Sequence, residues 1–590
     1  MHRFQLRKML LSASASLLLA TSIGPAPLYA APESVQLFLY PDSKTVYVNG
    51  EERQAEAAMI TKDKRHYLPA AQLAEWLGTP VAWNAEKGAV QITASQAYLE
   101  FYPREQKVLV NGNPVAWEDA ALFEQDRLFI DVEWLKQYVG LHSRYDEKLQ
   151  RLELRYIQTG DGQLFRSDTL PNAAPVANFA IAKDSYRIGE PIHYNNLSYD
   201  PKGNALSTID WGGAAEAIFT PGLYKVWLQV RDTEENSSIN FDRNIWIRNE
   251  PYLDAFDYNV YHKPVGSFVT EQESVLRSRL RGLPQLEKKT EVVKDRPLLV
   301  SDSPEIFTKR GVLYEGVVNG KARLYADHIN GTDRKMQFAI AVRNPHSDRS
   351  VTITTTNKGE VFPSKYAMLI GNEATIEFLQ GEKKPETLVV GPGETVYYKV
   401  MPGFYPEQGM NVIYDVETDG DAQFMFLAME PGDTLETVQY YPKLPYDSNV
   451  RGTFIGSEVN WEIRAGGVRE PSSFAIGDGT TDVFLPGTDE MQKMDSVNYG
   501  NYGVVYNIKV RTPPKMAVLI LARGGHFLGP FTVNGKIVQA PSSGIMTAYG
   551  GYTILTRTTG TEPMLDLSFS PAAGSAFPID VIFYPLKDLE

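Results

Sequence analysis

Polar and apolar residues alternate through Thr45-Val46-Tyr47-Val48, the pattern of a strand with one buried face. Asn49-Gly50 follows, two residues that tolerate positive φ and therefore read as a tight hairpin turn. After a second strand, Tyr67-Leu68-Pro69 leads into Ala70–Leu77, where Leu73, Trp76 and Leu77 share one face at helical spacing. Gly78 is placed to cap that helix at its C-terminus. Val81-Ala82-Trp83 and Val90-Gln91-Ile92 are predicted strands, with a turn at Glu86-Lys87-Gly88 between them. The whole series returns 62 residues later as Leu109-Val110-Asn111-Gly112, Leu128-Phe129-Ile130, a helix at Val132–Val139, Gly140 and Leu152-Glu153-Leu154. Tyr145 stands where the first copy has Trp83, and Ile130-Asp131 where it has Leu68-Pro69. A repeat at fixed period sets the fold before any chemistry is considered. Each copy is predicted to be a small sheet with one helix laid across it.

Beyond the duplication the pattern changes. Residues 157–174 are mostly polar, with turn residues at Gly160, Gly162 and Pro171-Asn172, and read as a linker. In 175–249 the alternation Tyr224, Val226, Leu228, Val230 marks a strand, and Trp211 is expected to plug the core of a sandwich. Residues 250–310 read as a connector with a short helix. Thr270-Glu271-Gln272-Glu273 has the form of a capping box at its start, and Leu276, Leu280 and Leu283 would line one side. From Gly311 on the chain is almost wholly β, in two sandwich blocks at 311–440 and 447–590. The fold class is therefore multidomain and mainly β: duplicated small α/β units, an immunoglobulin-like β-sandwich, and two further β-sandwich-like blocks.

The string running from Tyr47-Val48-Asn49-Gly50 through Tyr67–Asn84 to Ala89–Thr93, kept in order in both copies, resembles the copper amine oxidase N-terminal-like (stalk) domain. The resemblance covers 35–156, with repeats at 35–95 and 96–156. It implies an accessory module of secreted and surface proteins, largely of Gram-positive bacteria, that carries neither copper nor quinone. Residues 175–249 resemble a polycystic-kidney-disease-type (PKD) immunoglobulin-like domain through Ser198–Asn204, Ile209–Gly212 and Pro221–Asp232. That family's usual Asp-Gly-Asp loop ending is Lys202-Gly203-Asn204 here.

Composition narrows the setting. Arg3, Arg7 and Lys8 precede a short apolar run, Met9–Ile23, and Leu28-Tyr29-Ala30 suits cleavage, so 1–30 reads as a signal peptide. No other stretch reaches membrane length, so no transmembrane segment is expected after cleavage. The absence of cysteine excludes disulfides, thiol catalysis and cysteine-metal sites. A formal charge of −14 argues against nucleic acid, which needs clustered Lys and Arg. The expected location is secreted or wall-associated.

Candidate chemistry is sparse. The eight His are scattered without a His-x-His pair, and Tyr499 and Tyr502 are each followed by Gly rather than an acid, so no amine oxidase activity and no cofactor are expected. Asp478 and Asp482, in Asp-Gly-Thr-Thr-Asp, are candidate calcium ligands, although Asp-Gly is also ordinary turn sequence. Asp419-Gly420-Asp421 carries the same ambiguity. Seven of the eight Trp precede residue 250. Sugar rings stack on exposed aromatic faces, which makes Trp117 and Trp134 candidate binding residues, whereas Trp83, matched by Tyr145, is expected in the core. Two functions remain open. One is an exported non-catalytic binding or scaffold protein that contacts a cell-wall polymer or extracellular glycan. The alternative is an exported polysaccharide-active enzyme with a catalytic β-sandwich after residue 310, which would require a cleft holding two close carboxylates.

Overall fold

The computed structural model describes residues 34–589 except 148, 158–163, 169, 171–172 and 382–383. The expected signal peptide and part of the expected linker lie outside the described residues. No helix among the described residues is long and apolar enough to cross a membrane. The chain forms two compact units, one running to Ala255 and the other spanning Phe256–Glu590.

The duplicated region opens the first unit. Its first copy contains β1 (Ser34–Leu39), β2 (Thr45–Val48), β3 (Glu51–Gln54), β4 (Ile60–Lys62), β5 (Arg65–Pro69), α1 (Ala70–Leu77), β6 (Val81–Asn84) and β7 (Ala89–Thr93). The second contains β8 (Tyr98–Tyr102), β9 (Lys107–Val110), β10 (Asn113–Val115), α2 (Trp117–Ala120), β11 (Ala121–Glu124), β12 (Arg127–Asp131), α3 (Val132–Val139), β13 (His142–Asp146) and β14 (Arg151–Ile157). The two Asn-Gly turns are equivalent. Asn49 and Asn111 have φ of 51° and 50°, and each is followed by Gly at 84°. Each Asn also ties its turn to the neighbouring strand. Asn49 Oδ1 accepts from Gln36 N at 2.7 Å, and Asn111 Oδ1 accepts from Tyr98 N at 2.8 Å.

The copies are not separate sheets, however. One five-stranded sheet runs β13-β14-β1-β2-β3 and the other β10-β9-β8-β7-β6, so each joins three strands of one copy to the closing hairpin of the other. A third sheet, β11-β12-β5-β4, joins the two remaining hairpins. There Leu68 pairs with Ile130, its own counterpart, so a local two-fold axis passes between them. Leu37, Leu68, Leu73, Leu99, Ile130 and Leu135, drawn from both copies, belong to one core. A single copy of roughly 60 residues would be marginal on its own, and exchange of strands gives both copies one shared core.

Residues 175–254 form a four-stranded sheet, Ser185–Ile188, Phe241–Pro251, Gly222–Asp232 and Leu206–Gly212, beside a short pair, Phe179–Ile181 and Tyr194–Asn196. Val226, Leu228 and Val230 are buried in its core. Trp211 does not plug that core. It is half-buried at the rim, 4.9 Å from the Phe179 ring and 5.6 Å from Tyr194, because its strand lies at the sheet edge.

The second unit departs from the sequence reading in its boundaries. The segment 250–310, expected as a connector, supplies strands to three sheets: Phe268–Thr270, Lys288–Val293 and Leu298–Ser301. These strands are too short to announce themselves by periodicity and are held by their neighbours. Thr270 is paired with Gly551, so it cannot begin the helix. Glu273–Leu280 starts instead from Gln272 with no side-chain cap, and the capping box does not form. Nor are 311–440 and 447–590 independent. Arg451–Phe454 enters the sheet that holds the long strands Gly311–Asn330 and Gly409–Met429. Two buried arginines lock these parts together. Arg323 makes a two-point ion pair with Asp415 (2.7 and 3.1 Å) and donates to the carbonyls of Ser457 and Gly503. Arg451 pairs with Asp489 and reaches the carbonyls of Ser303 and Leu444.

Two stability measurements test this account. Asn111→Gly keeps the left-handed turn but loses the bond to Tyr98, and is expected to cost about 1 kcal/mol in denaturant unfolding. Asn111→Ala adds backbone strain of roughly 1 kcal/mol more. Arg323→Met leaves Asp415 buried without its two-point partner, and about 3 kcal/mol or more is expected to be lost from the second unit.

Candidate functional site

The local two-fold axis offers two equivalent grooves, and they differ. In the second-copy groove, His66 stacks on Tyr145 with ring centroids 4.5 Å apart and planes 21° from parallel. Arg65 beside it is fully engaged. Its Nε donates to Asp131 Oδ2 at 2.9 Å, Nη1 donates to the Glu118 carbonyl at 2.9 Å, and Nη2 donates to the Asp119 carbonyl. Asp131 also caps α3 by accepting from Trp134 N at 2.7 Å.

In the first-copy groove three of these side chains are changed. Trp83 replaces Tyr145, Leu128 replaces His66, and Pro69 stands where Asp131 would be. With Pro69 in place of that aspartate, Arg127, the counterpart of Arg65, forms no ion pair among the described residues. Trp83 has no stacking partner among the described residues and is 60% exposed on edge strand β6, against its expected place in the core. It pairs with Val90 at that open edge, where no further described strand covers the indole. The result is a groove of about 400 Å³ between Pro69, Ala71, Val81, Trp83, Arg127 and Leu128, with Glu56 and Asp126 at its margin. An indole left in water forgoes roughly 2 kcal/mol of burial, so the open ring asks for an occupant. The groove presents an apolar face, a free guanidinium and two carboxylates, which together suit a ring with C–H faces and hydroxyl edges.

The residues singled out by sequence fall elsewhere. Trp134 is only 8% exposed, set edge-on to Phe101 at 5.8 Å and tilted on Tyr138 at 4.8 Å, so it is a core residue and no platform. Trp117 is half-buried against the same core at the start of α2. Asp478 accepts from the backbone N–H groups of Thr480, Thr481 and Asp482 and from both threonine hydroxyls. Burial opposes its ionisation, but these donors hold it down at about 2. Asp482 accepts from Gly477 N and the Tyr506 hydroxyl, both at 2.7 Å. A carboxylate surrounded by donors is closing a turn, so Asp478 and Asp482 do not face an oxygen cage. Among the described residues no group of three or more His, Cys, Asp or Glu is placed to hold a metal ion.

One carboxylate pair escaped the sequence reading. Leu298–Ser301 runs parallel to Gly311–Asn330 with Ser301 beside Ala326, which sets Asp302 next to Asp327. Asp302 Oδ1 is buried without a hydrogen-bond partner. Asn411 Nδ2 approaches Asp327 Oδ1 at 3.5 Å. Burial and then the neighbouring carboxylates push both acids up, Asp327 to about 7.

With this geometry established, comparison adds the following. Residues 32–154 match the family model of the copper amine oxidase N-terminal domain. No curated relative matches the sequence. Among solved structures, one titled for carbohydrate-binding modules of the β-sandwich superfamily aligns at 16% identity, covering 44% of this chain and 99% of that one, with a TM-score of 0.12. Tripeptidyl peptidase 2 aligns at 7% identity over 73% of this chain and 31% of its own, also with a TM-score of 0.12. The oxalate decarboxylase of Lactobacillus farciminis aligns at 8% identity over 50% and 88%, with a TM-score of 0.10. TM-scores this low carry no argument about fold or function.

The raised acid yields a pH test. Native Asp327 keeps a proton that the unfolded chain releases, so its contribution to stability falls as pH rises from about 4 to about 7. Asp327→Asn removes that penalty. The melting temperature of the variant is expected to gain on the parent between about pH 5 and about pH 8, and an equal difference at both would refute the assignment.

Proposed function

We propose that this chain is an exported, non-catalytic binding protein of the cell envelope whose duplicated domain holds a wall polymer or extracellular glycan against Trp83. The observation that carries the reading is the open groove: Trp83 and Arg127 stand free where the second copy has closed the same place with His66, Tyr145 and the Arg65–Asp131 pair. Sugar C–H bonds carry partial positive charge and rest on the negative face of an indole, while Arg127, Glu56 and Asp126 offer a donor and acceptors for ring hydroxyls. On this reading the segment 175–249 is a PKD-type spacer. The enzyme reading has the Asp302–Asp327 pair in its favour. That pair looks onto Tyr325 and Asn411, both fully buried, a poor place for a polymer to enter.

The test is a titration of the purified protein with neutral oligosaccharides, followed by calorimetry and by indole fluorescence. Binding is expected to shift Trp emission to the blue, and Trp83→Ala is expected to weaken it about 30-fold, the loss of roughly 2 kcal/mol typical of a central aromatic contact. Tyr145→Ala, at the closed groove, should leave affinity unchanged. Equal affinity in Trp83→Ala and the parent would overturn the proposal.

A further inference from the structure

A second groove in the first unit, of about 550 Å³, lies on the outward face of β13, β14 and β1 and is bounded by His193 and Tyr194. Strand register builds it. Arg155 is the cross-strand partner of both Gln36 and His142, so the three side chains form one row across three strands. The next row holds Glu153 opposite Arg144. Glu153 is already committed, accepting from Arg144 Nη2 at 3.0 Å and from Arg151 Nε at 2.8 Å. Arg144 also lies 3.6 Å from Asp146. Arg155 has no carboxylate among the described residues. Its Nη1 lies 3.4 Å from His193 Nε2, a contact in which the guanidinium can only donate. Glu190, on the same segment as His193, is held by Lys183 and accepts from Arg187 N, so it is not available to the groove.

An Arg, two His and an amide therefore converge without an acid of their own, on a chain whose formal charge is −14. The duplication shows that the framework does not require them. The equivalent positions in the other sheet are Tyr98 for Gln36, Thr93 for Arg155 and Pro80 for His142. We propose that the groove over Gln36, His142, Arg155 and His193 is an oxyanion site that takes a carboxylate or phosphate group of an acidic polymer. Arg155 supplies a permanent forked donor, Gln36 an amide N–H, His142 a ring N–H, and His193 a further donor once protonated. The site is independent of the Trp83 groove and does not rest on it.

Its affinity depends on pH with a definite sign. Partial desolvation of the ring beside its neighbours, then Arg155, then His142 hold the free His193 imidazole below the usual range. An anion between Arg155 and His193 reverses that repulsion and raises the bound value. Binding therefore takes up a proton, and the gain is complete below the free pKa and lost as pH rises through the bound one.

The experiment is calorimetric titration of the full chain at low salt, at about pH 5.5 and about pH 7.5, with oligogalacturonate and, separately, with oligo(glycerol phosphate). Binding of either at the lower pH, tighter by about tenfold than at the higher, is expected. The polymer preferred identifies carboxylate or phosphate as the source. Arg155→Gln should weaken binding by about tenfold or more at both pH values. His193→Gln should bind like the parent at the higher pH but lose the gain on acidification. Arg155 and His193 are exposed, so both variants should keep the parent's melting transition, and Trp83→Ala should leave this binding intact. No binding of either polymer at the lower pH, parent-like affinity in Arg155→Gln, or an acid gain that survives in His193→Gln would each overturn the site.

Discussion

Everything in the duplicated domain depends on the pairing of β5 with β12 about Leu68 and Ile130. Backbone groups at a sheet centre must find partners, and here each copy finds them in the other. That pairing places β4 and β11 at the two edges of the third sheet and orients α1 and α3 against one core. It also brings Arg65 to Asp131 and Arg127 to Pro69, because a two-fold operation carries each contact onto its counterpart. The open and closed grooves are consequences of one symmetric backbone carrying two sequences that have diverged.

The second unit solves a different problem. Its sheets draw strands from residues nearly three hundred apart, such as Phe268–Thr270 with Gly551–Thr553. The buried guanidinium groups of Arg323 and Arg451 satisfy carbonyls in segments that no sheet ladder reaches. Buried ion pairs return little net energy against a well-packed apolar core, but breaking one is costly. Arg323 and Arg451 therefore act by penalising other arrangements of these segments.

Much of this was legible in the sequence and some was not, for physical reasons. The repeat, its two Asn-Gly turns and its two helices follow from local chemistry: positive φ, helical spacing and a glycine cap. Which strand pairs with which is not local, so the exchange between copies stayed hidden, as did the strands inside 250–310. Trp83 was misplaced because its counterpart Tyr145 suggested a shared core duty. The signal that could have corrected this was in the neighbours, Leu128 for His66 and Pro69 for Asp131, since a groove loses its filling only when several such positions change together. Trp134 was misjudged for the converse reason, because its contact with Phe101 comes from packing of α3 on β8, which spacing does not report. The Asp302–Asp327 pair depends on the register of two parallel strands, which no motif encodes.

The pairing of β1 with β14 has a mechanical consequence. Ser34 lies opposite Ile157, so the chain enters and leaves the duplicated domain at one corner. Tension along the polypeptide would pull these two ends apart from the same side, loading the hydrogen-bonded pairs one after another, like a zip. A domain held in shear would resist with all its pairs at once. This one yields sequentially and, once β1 is peeled from β14, opens the sheet they share.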